Sequence, residues 1–183
     1  MPRLLILCEY PTLLGGERSM MATFRAVAAA GFEIRVAAPP TGPLAQMLRE
    51  RGIPHVVWQI RDANETRRPL ERLRADLAEI TRDERPDLLH ANSLSTARIA
   101  GPVAAASGTP SIGHLRDIIQ ISPAAIADIN THRRLIAVSQ ATRDHHLAQG
   151  LDAARCVVVH NGVDLNEFHP RRATGRLHRE LGL

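Results

Sequence analysis

The 183-residue sequence predicts an α/β fold: a doubly wound, mostly parallel, seven-stranded Rossmann-like sheet with helices on both faces. Three observations predict it. Short apolar runs alternate with longer stretches of helical periodicity along nearly the whole chain. The runs, such as Leu-Leu-Ile-Leu-Cys from residue 4 and Cys-Val-Val-Val from residue 156, are unbroken, as strands covered on both faces are. Gly or Pro closes most of the segments, and strand-then-helix order with right-handed crossovers winds such a chain into parallel layers.

Taken in order, residues 4–8 read as a buried strand, followed by a turn-rich stretch and a helix over 18–30 that stops at Gly31. Residues 33–38 form a second strand closed by Pro39 and Pro40, 43–51 a short helix ending at Gly52, and 55–59 a third strand. Over 68–84, Leu70, Leu73, Leu77 and Ile80 fall on one helical face, with the charged residues between them on the wet side. A fourth strand at 87–91 leads into an Ala-rich helix at 94–107 stopped by Gly108, and a fifth strand follows at 111–115. Helix 123–130, strand 135–139, helix 140–149 and strand 156–160 complete the pattern. Residues 1–170 therefore read as one domain. Residues 171–183 read as a linker and the start of an amphipathic helix, leading toward a second domain that the sequence does not contain.

Composition removes several chemistries. All 23 basic residues are Arg, so no Lys is present for a phosphate-binding P-loop or a Schiff base. The net charge of +4 is spread over scattered pairs (Arg67-Arg68, Arg133-Arg134, Arg171-Arg172) with only Tyr10, Phe24, Phe32, Trp58 and Phe168 as aromatics, so no nucleic-acid partner is expected. Cys8 and Cys156 sit in apolar runs and read as reduced core residues. No apolar run approaches the roughly 20 residues of a membrane span, and the start is too short for a signal peptide, so a cytoplasmic globular domain is expected. No HExxH, Cys-pair or Asp-x-Asp pattern occurs, and no metal site or cofactor is expected. His145 and His146 are adjacent on a helix, where neighbours diverge, and read as surface residues.

Ligands of open parallel sheets bind beyond the carboxyl ends of the strands, so the residues just after each strand carry the information. After the first come Gly15, Gly16 and Glu17 at a helix start, where glycines admit a ligand to the backbone and the helix N-terminus favours an anion. The loop lacks G-x-G-x-x-G, and a plain turn capped by Glu17 or Ser19 is the structural alternative. After the fourth strand come His90, Asn92 and Ser93, and after the fifth His114, Arg116 and Asp117. Two histidines on neighbouring strands suit sugar hydroxyls or phosphate, with His114 able to donate a hydrogen bond or act as acid or base. Helix capping is the alternative for His90, Asn92 and Asp117.

Four stretches, PTLLGGERS at 11–19, PDLLHANS at 86–93, TPSIGHLRD at 109–117 and LIAVSQATRDHHLAQGLDAARCVVVHNGVDLNEFHP at 135–170, together resemble the N-terminal half of a GT-B glycosyltransferase of family 4. The resemblance implies transfer of a sugar from a nucleotide-diphosphate sugar to a carbohydrate or lipid-linked acceptor, with retention and without a metal. It implies a donor-binding C-terminal domain in cis or in trans, work on cell-envelope polysaccharide or lipid, and little or no activity for this half alone. It also implies Gly15 and Gly16 beside the donor diphosphate, His114 at the reacting centre, and His90, Asn92 and Asp117 on the acceptor side. Ser139 and Arg143 would sit at the cleft base, Asn161, Gly162 and Asp164 at the approach to the hinge, and Phe168 would pack against it. A peripheral membrane contact, through Leu13 and Leu14, is a further expectation. The competing readings are a non-catalytic module pairing with a separate donor-binding chain and a generic Rossmann-like nucleotide binder using Glu33 at the ribose. The missing fingerprint weighs against the binder.

Overall fold

The computed structural model describes residues 1–166, 168–170 and 172–183. Seven strands, β1 (Arg3–Leu7), β2 (Glu33–Ala38), β3 (His55–Val57), β4 (Leu88–Ala91), β5 (Ser111–Leu115), β6 (Arg134–Ala137) and β7 (Cys156–Val158), form one sheet in the order β3-β2-β1-β4-β5-β6-β7. Every adjacent pair is parallel. The helices between them are α1 (Gly15–Ala22), α2 (Phe24–Ala29), α3 (Pro43–Glu50), α4 (Leu70–Glu84), α5 (Leu94–Ser107), α6 (Pro123–Ile129), α7 (Gln140–Leu147) and, after the sheet, α8 (Arg176–Leu181). The predicted doubly wound architecture is the observed one.

Alternation along the strands divides the core into two layers. On one face Leu5, Leu7, Leu89, Ala91, Leu115 and Leu135 pack with Leu73 and Leu77 of α4 and Ile99 of α5. On the other, Leu4, Ile6, Cys8, Val36 and Ala38 meet Met20, Met21 and Phe24 of α1 and α2 and Leu44 and Leu48 of α3. Both cysteines are free and buried, and burial pushes both thiols up, so they behave as small apolar fillers.

Three departures from the predicted elements have local causes. The helix expected over 18–30 begins three residues earlier, because the Glu17 carboxylate accepts the Leu14 N–H at 3.1 Å and caps the turn that Gly15 and Gly16 begin. It also breaks at Thr23, whose hydroxyl donates to the Met20 carbonyl at 2.7 Å in competition with the helical ladder. The terminal helix forms only over Arg176–Leu181, after a left-handed Gly175, and buries none of its residues. Arg171, where that segment was expected to start, lies outside the described residues.

Helix α5 runs through Pro102, which has no N–H to offer the Arg98 carbonyl one turn back. Arg74 of α4 supplies the missing donor at 3.3 Å, and its guanidinium also pairs with Asp128 of α6 at 2.7 Å. One arginine thus ties three helices together around a proline. Beside it, Gly101 lets α6 approach, since a Cβ there would lie 2.5 Å from the Asp128 carbonyl oxygen and against the Thr131 hydroxyl. Gly101→Ala is accordingly expected to cost about 3 kcal/mol, the upper range of overpacking. Urea unfolding monitored by circular dichroism reads the loss, and an unchanged midpoint would contradict this account of the α5–α6 contact.

Candidate functional site

The chain leaves β1 toward β2 and leaves β4 toward β5, so the sheet order reverses between these two neighbours. A crevice opens at such a switch point, beyond the strand carboxyl ends. Here it is a cavity of about 410 Å³ lined by Tyr10, Thr12, Leu14, Gly15, Gly16, Glu17, Asn92, Ser93, Arg116, Asp117, Val138 and Asn161.

Arg116 organises this cavity. Its Nε donates to the Asn92 carbonyl at 2.9 Å, Nη2 to Asn92 Oδ1 at 2.7 Å, and Nη1 to Asn161 Oδ1 at 3.4 Å. Asn161 Oδ1 also accepts the Ser19 hydroxyl at 2.7 Å. The aliphatic stem lies against Gly16, where a Cβ would meet Arg116 Cδ at 3.4 Å, so the glycine leaves room for the guanidinium. Arg116 therefore joins the exits of β4, β5 and β7 to the first turn of α1. Among the described residues no carboxylate lies within 4.0 Å of it, and the nearby Glu17 is occupied by the Leu14 N–H. Burial lowers the Arg116 pKa, and the carboxylates of Glu17 and Asp117 act at longer range to restore it.

Neither His90 nor His114 lines the cavity, contrary to the position the sequence suggests for them. The two rings stack, with centroids 5.5 Å apart and His90 Nε2 3.3 Å from His114 Nδ1, and Arg116 Nη2 lies 3.3 Å from the same Nδ1. Burial, then the Arg116 charge, lowers His90 to about 4 and His114 to about 3, so both are neutral at physiological pH. His114 Nε2 is buried without a partner.

The other expected site residues divide clearly. Gly15, Gly16, Glu17, Asn92, Arg116, Asp117 and Asn161 come together. Ser139 does not: its hydroxyl accepts the Thr142 N–H at 3.1 Å and caps α7. Arg143 points its Nε to the Cys156 carbonyl at 3.1 Å and braces β7. Gly162 and Asp164 are exposed and do not line the cavity, and Asp164 Oδ1 accepts the Asn166 N–H at 2.8 Å. Phe168 is 59% exposed.

Sequence reasoning missed two supports. His146, read as a surface residue, is fully buried, with Nε2 at 2.8 Å from the Asp117 carbonyl and Nδ1 facing the Gln149 amide. Gln149 also takes the Ile121 N–H at 2.8 Å, so α7 fixes the loop after β5 that carries Asp117. Gln149 lies just beyond the end of α7, and no local spacing signals a bond that reaches back 29 positions to Asp117. Glu9, directly after β1, is buried between Arg67 at 3.5 Å and the Ser93 hydroxyl at 3.4 Å. Among the described residues no three His, Cys, Asp or Glu side chains gather as metal ligands.

A parallel doubly wound domain with an arginine-floored cleft at its switch point is thus the class that fold and site define. The family model for glycosyltransferase family 4 matches residues 14–167, and the chain belongs to that family. Among solved structures, Anabaena Alr3699/HepE in complex with UDP superposes with a TM-score of 0.73 at 21% identity, covering 100% of this chain and 50% of that one. A glycosyltransferase from Rickettsia africae matches at 0.68 and 17% identity (98% and 48%), and Acinetobacter baumannii MurG at 0.65 and 13% (93% and 50%). The chain spans about half the length of these proteins, and it has the fold of one half of a GT-B glycosyltransferase. No curated protein sequence matches it significantly.

Proposed function

We propose that this domain is the acceptor-side half of an enzyme that moves a sugar from a nucleotide-diphosphate donor to a carbohydrate or lipid-linked acceptor in the cleft above Arg116. The observation that carries the reading is the pairing of that guanidinium with the N-terminal turn of α1 at the switch point. Together they form a positive floor suited to an anionic leaving group. In this reading Arg116 and the Gly15 and Gly16 N–H groups face the diphosphate, and Asn92 and Asp117 face the acceptor. His114, which stands behind Arg116 and outside the cavity lining, meets the transferred sugar only where a sugar oxygen reaches past that guanidinium. Positive charge from the protein takes the part a divalent cation plays elsewhere, so transfer is expected to survive chelation, with retention of anomeric configuration. The UDP bound by the Anabaena protein supports a nucleotide donor.

A second domain, in cis or as a separate chain, supplies the nucleotide contacts and excludes water on closing. The test is a transfer assay with and without that donor-binding half. Transfer is expected only with it. Robust transfer by residues 1–183 alone would contradict the half-enzyme reading, and none in either form, across nucleotide-sugar donors, would contradict the transferase reading.

The cleft rim also supports a peripheral contact with the inner membrane face. Leu14 (66% exposed) lines the cavity, and Ile118 and Ile119 directly follow Asp117, also exposed, whereas Leu13 packs on the core. Among the described residues no helix is long and apolar enough to cross a membrane. Leu14→Asp is expected to reduce co-sedimentation with anionic lipid vesicles severalfold. Equal sedimentation of variant and parent would remove Leu14 from that contact.

A further inference from the structure

We infer that Arg116 is a positioning residue that holds the His114 imidazole in its Nε2–H tautomer, making His114 a hydrogen-bond donor and not an acid or base. The inference rests on the transferase reading only for the identity of the ligand His114 meets; the tautomer is a property of the chain itself.

A guanidinium carries five N–H donors and no acceptor. Four are directed at Asn92 O, Asn92 Oδ1, Asn161 Oδ1 and His114 Nδ1, at 2.9, 2.7, 3.4 and 3.3 Å. The two bonds to Asn92 form a fork that fixes the plane of the group, so Nη2 cannot turn its second hydrogen away from His114. An atom that faces a permanent donor must accept, and in a neutral imidazole the proton then lies on the other nitrogen. His90 Nε2, also 3.3 Å from Nδ1, fits the same assignment as a second donor to one lone pair. Two equal distances, each longer than an ordinary hydrogen bond, are what a shared acceptor produces. The alternative tautomer would set the His114 Nδ1–H against the Arg116 N–H, whichever tautomer His90 adopts.

The consequence concerns chemistry. With Nδ1 engaged, His114 has no free lone pair to take a proton, and the N–H of a neutral imidazole is a donor, not a proton source, near neutral pH. Its Nε2–H is buried and unsatisfied, which is costly unless a ligand oxygen completes it. The groups facing His114 are His90 from β4 and Arg116 from its own strand exit, and Arg116 is the charged one. Glu17 and Asp117 reach it through Arg116, and His132 acts on His90.

The test is a long-range proton–nitrogen correlation spectrum of the chain labelled with ¹⁵N-histidine, with His114→Gln to assign the signal. The expected result is a bare Nδ1 and a protonated Nε2 that persist from about pH 8 to about pH 5. Arg116→Met should mix the tautomers and raise the His114 midpoint by about one pH unit or more. Arg116→Lys, which keeps charge without the fork, should mix the tautomers with a smaller rise in midpoint. A proton on Nδ1 of the parent protein, or an identical tautomer and midpoint in Arg116→Met, would overturn the inference. The parent spectrum decides the tautomer even where Arg116→Met fails to fold. Failure of the transferase reading would leave this spectrum unchanged, so the two can fail separately.

Discussion

In the enzyme assembled with its donor-binding half, His114→Ala is expected to lower kcat/KM by about 10²-fold or more, the usual effect of removing one preorganised donor from a closed site. The ring stands behind Arg116, and its Nε2–H is a buried polar group without a partner. A substrate oxygen that reaches this group gains a hydrogen bond whose protein side is already desolvated. His114→Gln, whose side-chain amide carries an N–H at similar reach, is expected to recover about tenfold of the loss. Proton transfer by His114 would give a different outcome, since an amide cannot replace a base. Steady-state rates of the parent and both variants separate the cases, and full activity of His114→Ala would remove the residue from the site.

Acid should unfold the domain steeply, and histidine is the reason. Burial lowers His90 and His132 to about 4 and His114 to about 3, against 6.5 in the unfolded chain. His132 is enclosed between the Ser111 hydroxyl at 2.8 Å and the Ala97 carbonyl at 2.9 Å, linking β5 to α5. Above pH 6.5 these groups are neutral in both states and contribute no pH dependence. Below it the unfolded chain binds protons that the folded chain refuses, so stability falls by up to about 1.4 kcal/mol per pH unit for each histidine. Three such groups exhaust a stability on the order of 5–15 kcal/mol within a few pH units. Urea midpoints at about pH 7.5 and about pH 5 should therefore differ widely, with His132→Gln showing a shallower slope. Equal midpoints would mean that the histidines protonate in the folded state.

The seven strands and their parallel, doubly wound arrangement are legible because buried parallel strands write themselves as unbroken apolar runs, and α5 and β5 have the bounds their Gly108 and Pro110 punctuation implies. The runs do not order the strands within the sheet. Position after a strand end also points to Gly16, Asn92 and Arg116, whereas Asn161 comes only from the family resemblance, which sets it at the approach to the hinge. What sequence could not decide was side-chain commitment. Ser139 and Arg143 follow β6 as Asn92 follows β4, yet one caps its own helix and the other braces β7. The Arg74 bond to the Arg98 carbonyl and the His146 bond to Asp117 join residues 24 and 29 positions apart, and no local pattern announces them. Strand ends converge at the cleft, so sequence position alone puts His90 and His114 there. The guanidinium of Arg116, two residues beyond His114, stands at the cavity in their place.

The central claim is that the Arg116 cleft receives the donor diphosphate. The most direct test is titration of the ¹⁵N-labelled chain with UDP, followed by backbone amide shifts. The account predicts saturable shifts centred on Gly15, Gly16, Glu17 and Asn161, with a Kd on the order of 1 mM for half of a donor site. Arg116→Met should abolish them. Shifts centred on Thr109, Ser111 and Arg133 at the opposite end of the sheet, or no site-specific shift at about ten times that concentration, would contradict it.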